Sequence, residues 1–133
     1  MLELKQITVL PTLMRWRIEV LRSLSGREPH PRLLVVTRQY FREHIADGSH
    51  VAFVAEVNGV ECGCGSICLA DELPTPDNPT GRYASLVNIY VCEPYRNQGL
   101  ECCIVRRLMD EAGKLGCGKI YLETADKGLL QCQ

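Results

Sequence analysis

The chain has 133 residues, fifteen of them basic and sixteen acidic, for a net charge of -1. That length fits one domain, 1–133, able to bury a substantial core. The balanced charge offers no electrostatic footprint for nucleic acid, so a polyanionic partner is not expected.

The opening residues, "MLELKQITVL", include Glu3 and lack a long apolar core. They are expected to be neither a secretory signal nor a membrane span, which makes the cytoplasm the expected compartment and leaves no reason to expect a membrane partner. Eight cysteines would suggest a disulfide framework in a secreted protein; without an export signal, reduced thiols are the expectation. Cys62, Cys64 and Cys68 fall on one face of a period-2 pattern, but the three histidines lie elsewhere and no C-x-x-C occurs. No metal is expected, and the thiols read as small buried hydrophobes.

Residues 2–9 alternate weakly and predict a first strand. Pro11 opens a helix with Leu13, Trp16, Val20 and Leu24 on one side, ended by Gly26. After the loop "REPHPR", Pro31 starts a second helix with Leu33, Leu34, Val36, Tyr40, Phe41 and Ile45 apolar or aromatic, closed by "DG" at 47 and 48. "HVAFVAEVNGVECGCGSICLA" predicts a hairpin around Asn58-Gly59, because both central residues of the tightest hairpin turn need positive φ. "DELPTPDNPTG", residues 71–81, has three prolines and reads as an exposed connection.

Residues 83–92 predict a further strand. Residues 99–115 predict a helix with Leu100, Cys103, Ile104, Leu108, Ala112 and Leu115 inward. On its outer side Arg107 and Glu111, then Asp110 and Lys114, stand four apart and are expected to pair, with Gly116 as the stop. Residues 118–124 predict a last strand. The order β-α-α-β-β-β-α-β implies an α/β fold with a mixed sheet, whose final strand–helix–strand unit is a right-handed parallel crossover.

Between the fourth strand and the third helix lies "VNIYVCEPYRNQGLECC", residues 87–103. A turn that leaves a strand and enters a helix directs unpaired N–H groups outward at the positive end of the helix dipole. Gly99 allows close approach and Arg96 adds a charge, so a phosphate is the natural occupant. The spacing excludes G-x-x-x-x-G-K-[ST], G-x-G-x-x-G and G-x-S-x-G.

The stretch resembles the GNAT acyl-CoA-dependent N-acetyltransferases, whose signature Q/R-x-x-G-x-G/A opens a helix after a strand ending in a run like "IYV.PEYR". Ile89, Tyr90, Val91, Pro94, Tyr95, Arg96 and Gly99 match it, while "EP" at 93 and 94 inverts the usual order. The element order matches too, and "GCGKIYLET" resembles the family's fifth strand, so the resemblance covers roughly residues 2–126.

It implies acetyl-CoA as acyl donor and a GNAT-like sheet with splayed fourth and fifth strands. The turn Arg96-Asn97-Gln98-Gly99-Leu100-Glu101 would hold the donor, backbone N–H groups of Gln98 through Glu101 cradling the pyrophosphate. Backbone groups of Val91 and Cys92 would pair with the pantetheine arm. A primary amine, on a small molecule or peptide, would attack the thioester directly, with Glu123 nominated as the base. Cys92 is an alternative nucleophile without a neighbouring histidine in sequence, and a packed thiol is the preferred reading.

Two departures stand out. Glu101 occupies the family's Gly/Ala position, where its carboxylate would favour the empty helix terminus and repel a pyrophosphate. The ending "ETADKGLLQCQ" lacks the family's tyrosine general acid and last strand. From these follow an expectation of impaired transfer, the alternative of a noncatalytic acyl-CoA-binding or association module, and an exposed fifth-strand edge that would pair two copies as a homodimer.

Overall fold

A computed structural model describes residues 1–122. Its elements are β1 (Leu2–Ile7), α1 (Leu10–Ser25), α2 (Pro31–Ala46), β2 (His50–Val57), β3 (Val60–Asp71), β4 (Arg82–Val91), a 3-10 turn (Glu93–Tyr95), α3 (Leu100–Lys114) and β5 (Lys119–Leu122). The predicted element order is observed, and the fold is α/β. One mixed sheet runs β1-β2-β3-β4-β5, antiparallel except for the parallel pair β4–β5.

The sheet separates two cores. On one face α3 lays Ile104, Leu108 and Ala112 against Phe53, Ile67 and Leu86. On the other, α1 and α2 bury Leu13, Trp16, Val20 and Phe41 against Val54 and Cys64. Neighbouring strand residues such as Phe53 and Val54 serve opposite cores, as a period of two requires. The β2–β3 turn has Asn58 at φ 52° and Gly59 at φ 81°, the left-handed pair expected of Asn-Gly.

Two bulges interrupt the alternation and matter for the site. In β3, Gly63 faces Ala55 while Glu61 faces Glu56, so Cys62 is the extra residue. Cys62 is consequently fully buried in the α3-side core, whereas Cys64 packs toward α1 and α2 and Cys68 contacts Tyr40 of α2. The expected single face of three cysteines is therefore incorrect. In β4, Cys64 faces Tyr90 but Ser66 faces Val87, so Asn88 and Ile89 stand against Gly65 alone. Asn88 takes the strain at φ 57°, a conformation asparagine tolerates better than most residues.

Other expectations also change. Leu24, Leu33 and Val36 are exposed, because α1 and α2 give up only a narrow stripe to the sheet. Leu115 caps α3 and is partly exposed instead of packing inward. The two outer pairs on α3 do not form as expected. Arg107 donates to the Leu2 carbonyl at 2.9 Å, and Lys114 meets Glu111, three residues away, at 3.7 Å. Residues 123 and 124 of the predicted fifth strand lie outside the described residues.

Candidate functional site

The turn between β4 and α3 reverses through two left-handed residues, Asn97 at φ 64° and Gly99 at φ 77°. α3 then begins at Leu100, and the N–H groups of Leu100 and Glu101 have no hydrogen-bond partner among the described residues. They border a hollow of 280 Å³ lined by Val91, Arg96, Asn97, Gly99, Leu100 and Glu101, with Tyr95 and Cys102 completing it. A side chain built at Gly99 would meet nothing within 4 Å, so the backbone there is open to a ligand. The hollow thus combines outward N–H groups, a helix N-terminus and a guanidinium.

Arg96 is fixed at this junction. Its Nε donates to the Val91 carbonyl at 2.8 Å, and its guanidinium lies 5.4 Å from the Tyr90 ring centroid. Gln98 does not line the hollow; its side chain folds back toward the Pro94 carbonyl at 3.4 Å. Glu101 lines the hollow and is exposed, in the first turn of α3.

The two strand residues assigned to the pantetheine arm differ in what they have left to offer. Cys92 N–H donates to Cys62 O at 2.7 Å, and Cys92 O accepts from Tyr95 N–H at 2.9 Å. Because neighbouring residues of an antiparallel strand bond to opposite sides, Val91 turns its N–H and C=O away from β3. That is the side on which β5 pairs further down, and the described pairing ends at Leu86 with Leu122. Val91 N–H is therefore placed for an extended ligand, while the backbone of Cys92 is already engaged. Burial and then Glu19 raise the Cys92 thiol above its ordinary range, which disfavours it as a nucleophile.

On the opposite face of the sheet, α1, α2 and β4 enclose a cavity of 320 Å³. Arg17, Tyr40, Phe41, His50, Cys68 and Asn88 line most of it. Arg17 Nη1 donates to Asn88 Oδ1 at 2.7 Å, bracing the β4 bulge. Tyr40 Oη and His50 Nδ1 are 3.0 Å apart, and Cys68 Sγ lies 3.5 Å from Tyr40 and 3.4 Å from His50. Burial lowers the His50 imidazole to about 4, with smaller contributions from His44 and Arg17, so it is neutral near pH 7. Burial, and then contact with Cys68, raises the Tyr40 hydroxyl, so it too is uncharged.

A family model described as "Acetyltransferase (GNAT) family" matches residues 11–130. The chain belongs to the GNAT acetyltransferases. A crystal structure of a predicted acetyltransferase with acetyl-CoA from Clostridium acetobutylicum is 26% identical, with a TM-score of 0.79 over 93% of this chain and 81% of that one. A GCN5-related N-acetyltransferase from Ralstonia eutropha JMP134 is 20% identical, with a TM-score of 0.74 over 95% and 85%. Glucosamine-6-phosphate N-acetyltransferase from Arabidopsis thaliana is 19% identical, with a TM-score of 0.67 over 93% and 82%. The last two likenesses show the fold. Among curated proteins no relative matches by sequence.

In this GNAT domain the hollow and the cavity reach the same stretch of β4 from opposite faces. Val91 packs with the α3-side core, while Val87 and Asn88 line the cavity beside α2. Sequence reasoning placed the turn but missed Arg17, Tyr40, His50 and Cys68. Their convergence depends on strand register and helix packing, and no local pattern carries it. Asn88 and Tyr90 were legible as polar and aromatic positions of the fourth strand, but alternation could not say which face looks into the cleft; Asn88 lines the cavity. The nominated base, Glu123, lies outside the described residues. Among the described residues no three His, Cys, Asp or Glu gather to hold a metal ion, and no helix is long and apolar enough to cross a membrane.

Proposed function

We propose that this GNAT domain transfers the acetyl group of acetyl-CoA to a primary amine by direct attack. The observation that carries the reading is the approach of two cavities to one segment of β4, an anion-suited hollow on the α3 side and a partly apolar pocket on the α1/α2 side. The pyrophosphate would lie against the N–H groups of Leu100 and Glu101 beside Arg96, and the pantetheine arm along Val91. This order puts the thioester near Asn88 and Ile89, where an amine entering from the pocket would meet it.

The amine lone pair attacks the thioester carbon, and the carbonyl oxygen takes the negative charge, held by a β4 N–H group on the side away from β3. Collapse expels the CoA thiolate and leaves the acetylated amine, whose surplus proton passes to a base. Glu123 is our nominee for that base. Cys62, Cys64, Cys92, Cys103 and Cys117 are free thiols, which suits a reducing compartment such as the cytoplasm. A second reading, a noncatalytic acyl-CoA-binding module, draws on Glu101, which lines the hollow.

A single-turnover assay decides between them. Acetyl-CoA and a panel of primary amines are mixed with excess protein, and free CoA thiol is measured. Amine-dependent thiol release is the expected result. CoA binding without release for any amine would favour the noncatalytic reading.

A further inference from the structure

We infer that the pocket between α1, α2 and β4 selects an acceptor amine that also carries an anionic group, a carboxylate or a phosphate, bound by Arg17. This inference rests on the transferase reading and names the substrate class of that same site.

Among the groups lining this cavity, Arg17 supplies the charge. His50 is held neutral by burial, the Tyr40 hydroxyl is kept protonated by burial, Cys68 joins both in one hydrogen-bonded cluster, and no carboxylate lines the wall among the described residues. The Arg17 side chain is half-buried, and the hydrogen bond it makes there goes to a neutral amide oxygen, Asn88 Oδ1, with no carboxylate partner among the described residues. A guanidinium carries five donors in a planar fork suited to two oxygens of an anion. One donor braces the bulge, and others remain to be used.

The rest of the pocket supports a small ligand. Its 320 Å³ lies at the lower end of ligand-binding cavities. Phe41 offers an apolar wall, and Thr37 and Tyr40 offer polar edges. A polycationic acceptor would face an unpaired guanidinium with no compensating carboxylate, a costly juxtaposition in a partly desolvated site. An acceptor with one anionic group would satisfy the charge and fix the direction from which its amine approaches β4.

The test uses two matched pairs of ligands, L-leucine with L-leucinamide and phosphoethanolamine with ethanolamine. Each is titrated calorimetrically into the full chain saturated with CoA, and into Arg17→Gln and Arg17→Lys variants whose folding is checked by circular dichroism. We expect at least one anion to bind about tenfold or more tightly than its neutral partner. Arg17→Gln should erase that preference, and Arg17→Lys should keep part of it. The wild-type comparison needs no variant to fold.

Equal binding within both pairs, or no measurable binding of either anion, would overturn the inference and leave Arg17 as a brace for the bulge. The same ligands with acetyl-CoA separate this outcome from failure of the transferase reading. Turnover of neutral and anionic amines at equal kcat/KM would sink the inference alone. Arg17-dependent anion binding without thiol release would sink the transferase reading alone.

Discussion

Glu101→Gly should tighten CoA binding, and the dependence on salt should identify the cause. Glu101 stands in the first turn of α3, on the wall of the hollow that offers the N–H groups of Leu100 and Glu101. Its carboxylate interacts favourably with the empty helix terminus by about 0.3–1 kcal/mol, a contribution the variant loses. Glycine in a helix adds a cost of roughly 0.5–1 kcal/mol, so the variant should also melt several degrees lower.

Against this stands repulsion of the incoming pyrophosphate. Two negative charges at about 5 Å from the carboxylate, in water, cost roughly 1.6 kcal/mol together. Screening at 0.15 M reduces this to about 0.9 kcal/mol, whereas at 0.01 M about 1.4 kcal/mol remains. The variant should therefore bind CoA about tenfold more tightly at low salt and about fivefold at physiological salt. Isothermal calorimetry at the two ionic strengths is the measurement. Unchanged or weaker affinity, or a gain indifferent to salt, would refute the reasoning and mean that the Glu101 carboxylate turns away from the ligand.

Arg96→Ala removes both the bond to the Val91 carbonyl and the cation at the hollow, and should weaken CoA binding roughly tenfold by calorimetry, with CoA still preferred over ATP and NAD. The stability of the domain should fall as pH drops from about 6.5 toward about 4, because the unfolded chain protonates His50 at its ordinary value while the buried imidazole resists. That loss approaches roughly 3 kcal/mol, and melting curves at several pH values should show it shrink in His50→Asn. The Tyr121 and Leu122 side chains on β5 are substantially exposed, and among the described residues β5 pairs with β4 alone. Light scattering should therefore report a dimer or larger species that Leu122→Lys shifts toward monomer; a wild-type monomer at high concentration would refute it.

Much of the fold was legible because its signals are local. Asn58-Gly59 specifies a hairpin through backbone sterics, Pro11 and Pro31 mark helix starts, and the apolar spacing of Ile104, Leu108 and Ala112 gives α3 its buried face. The anion-suited turn was legible for the same reason, since strand, glycine and helix are adjacent in the chain. The bulges were not. A repeat of two says nothing about where a residue is inserted, and Cys62 and Asn88 each shift the face that follows. The amphipathic pattern of α2 was real but overstated its burial, because Val36 borders a cavity instead of a packed neighbour. The Tyr40–His50–Cys68 cluster joins residues ten to twenty-eight positions apart, through contacts that only tertiary packing creates.

The order of strands in the sheet has a consequence for how the domain assembles and opens. β2, β3 and β4 form a contiguous meander from His50 to Val91, whereas β1 and β5 join its edges across helical excursions. Closing the short loops of the meander costs less chain entropy than either excursion, so the three central strands should form the early folding nucleus. The crossover that carries the anion-suited turn then docks late, through α3 and the four paired residues of β5. Late-docking units tend to be the ones that open under native conditions. Amide exchange should accordingly be fastest in β5 and at the ends of α3 and slowest in β3, and CoA should slow it at the start of α3. Ligand affinity in this domain would then depend partly on how often a folding step has already completed.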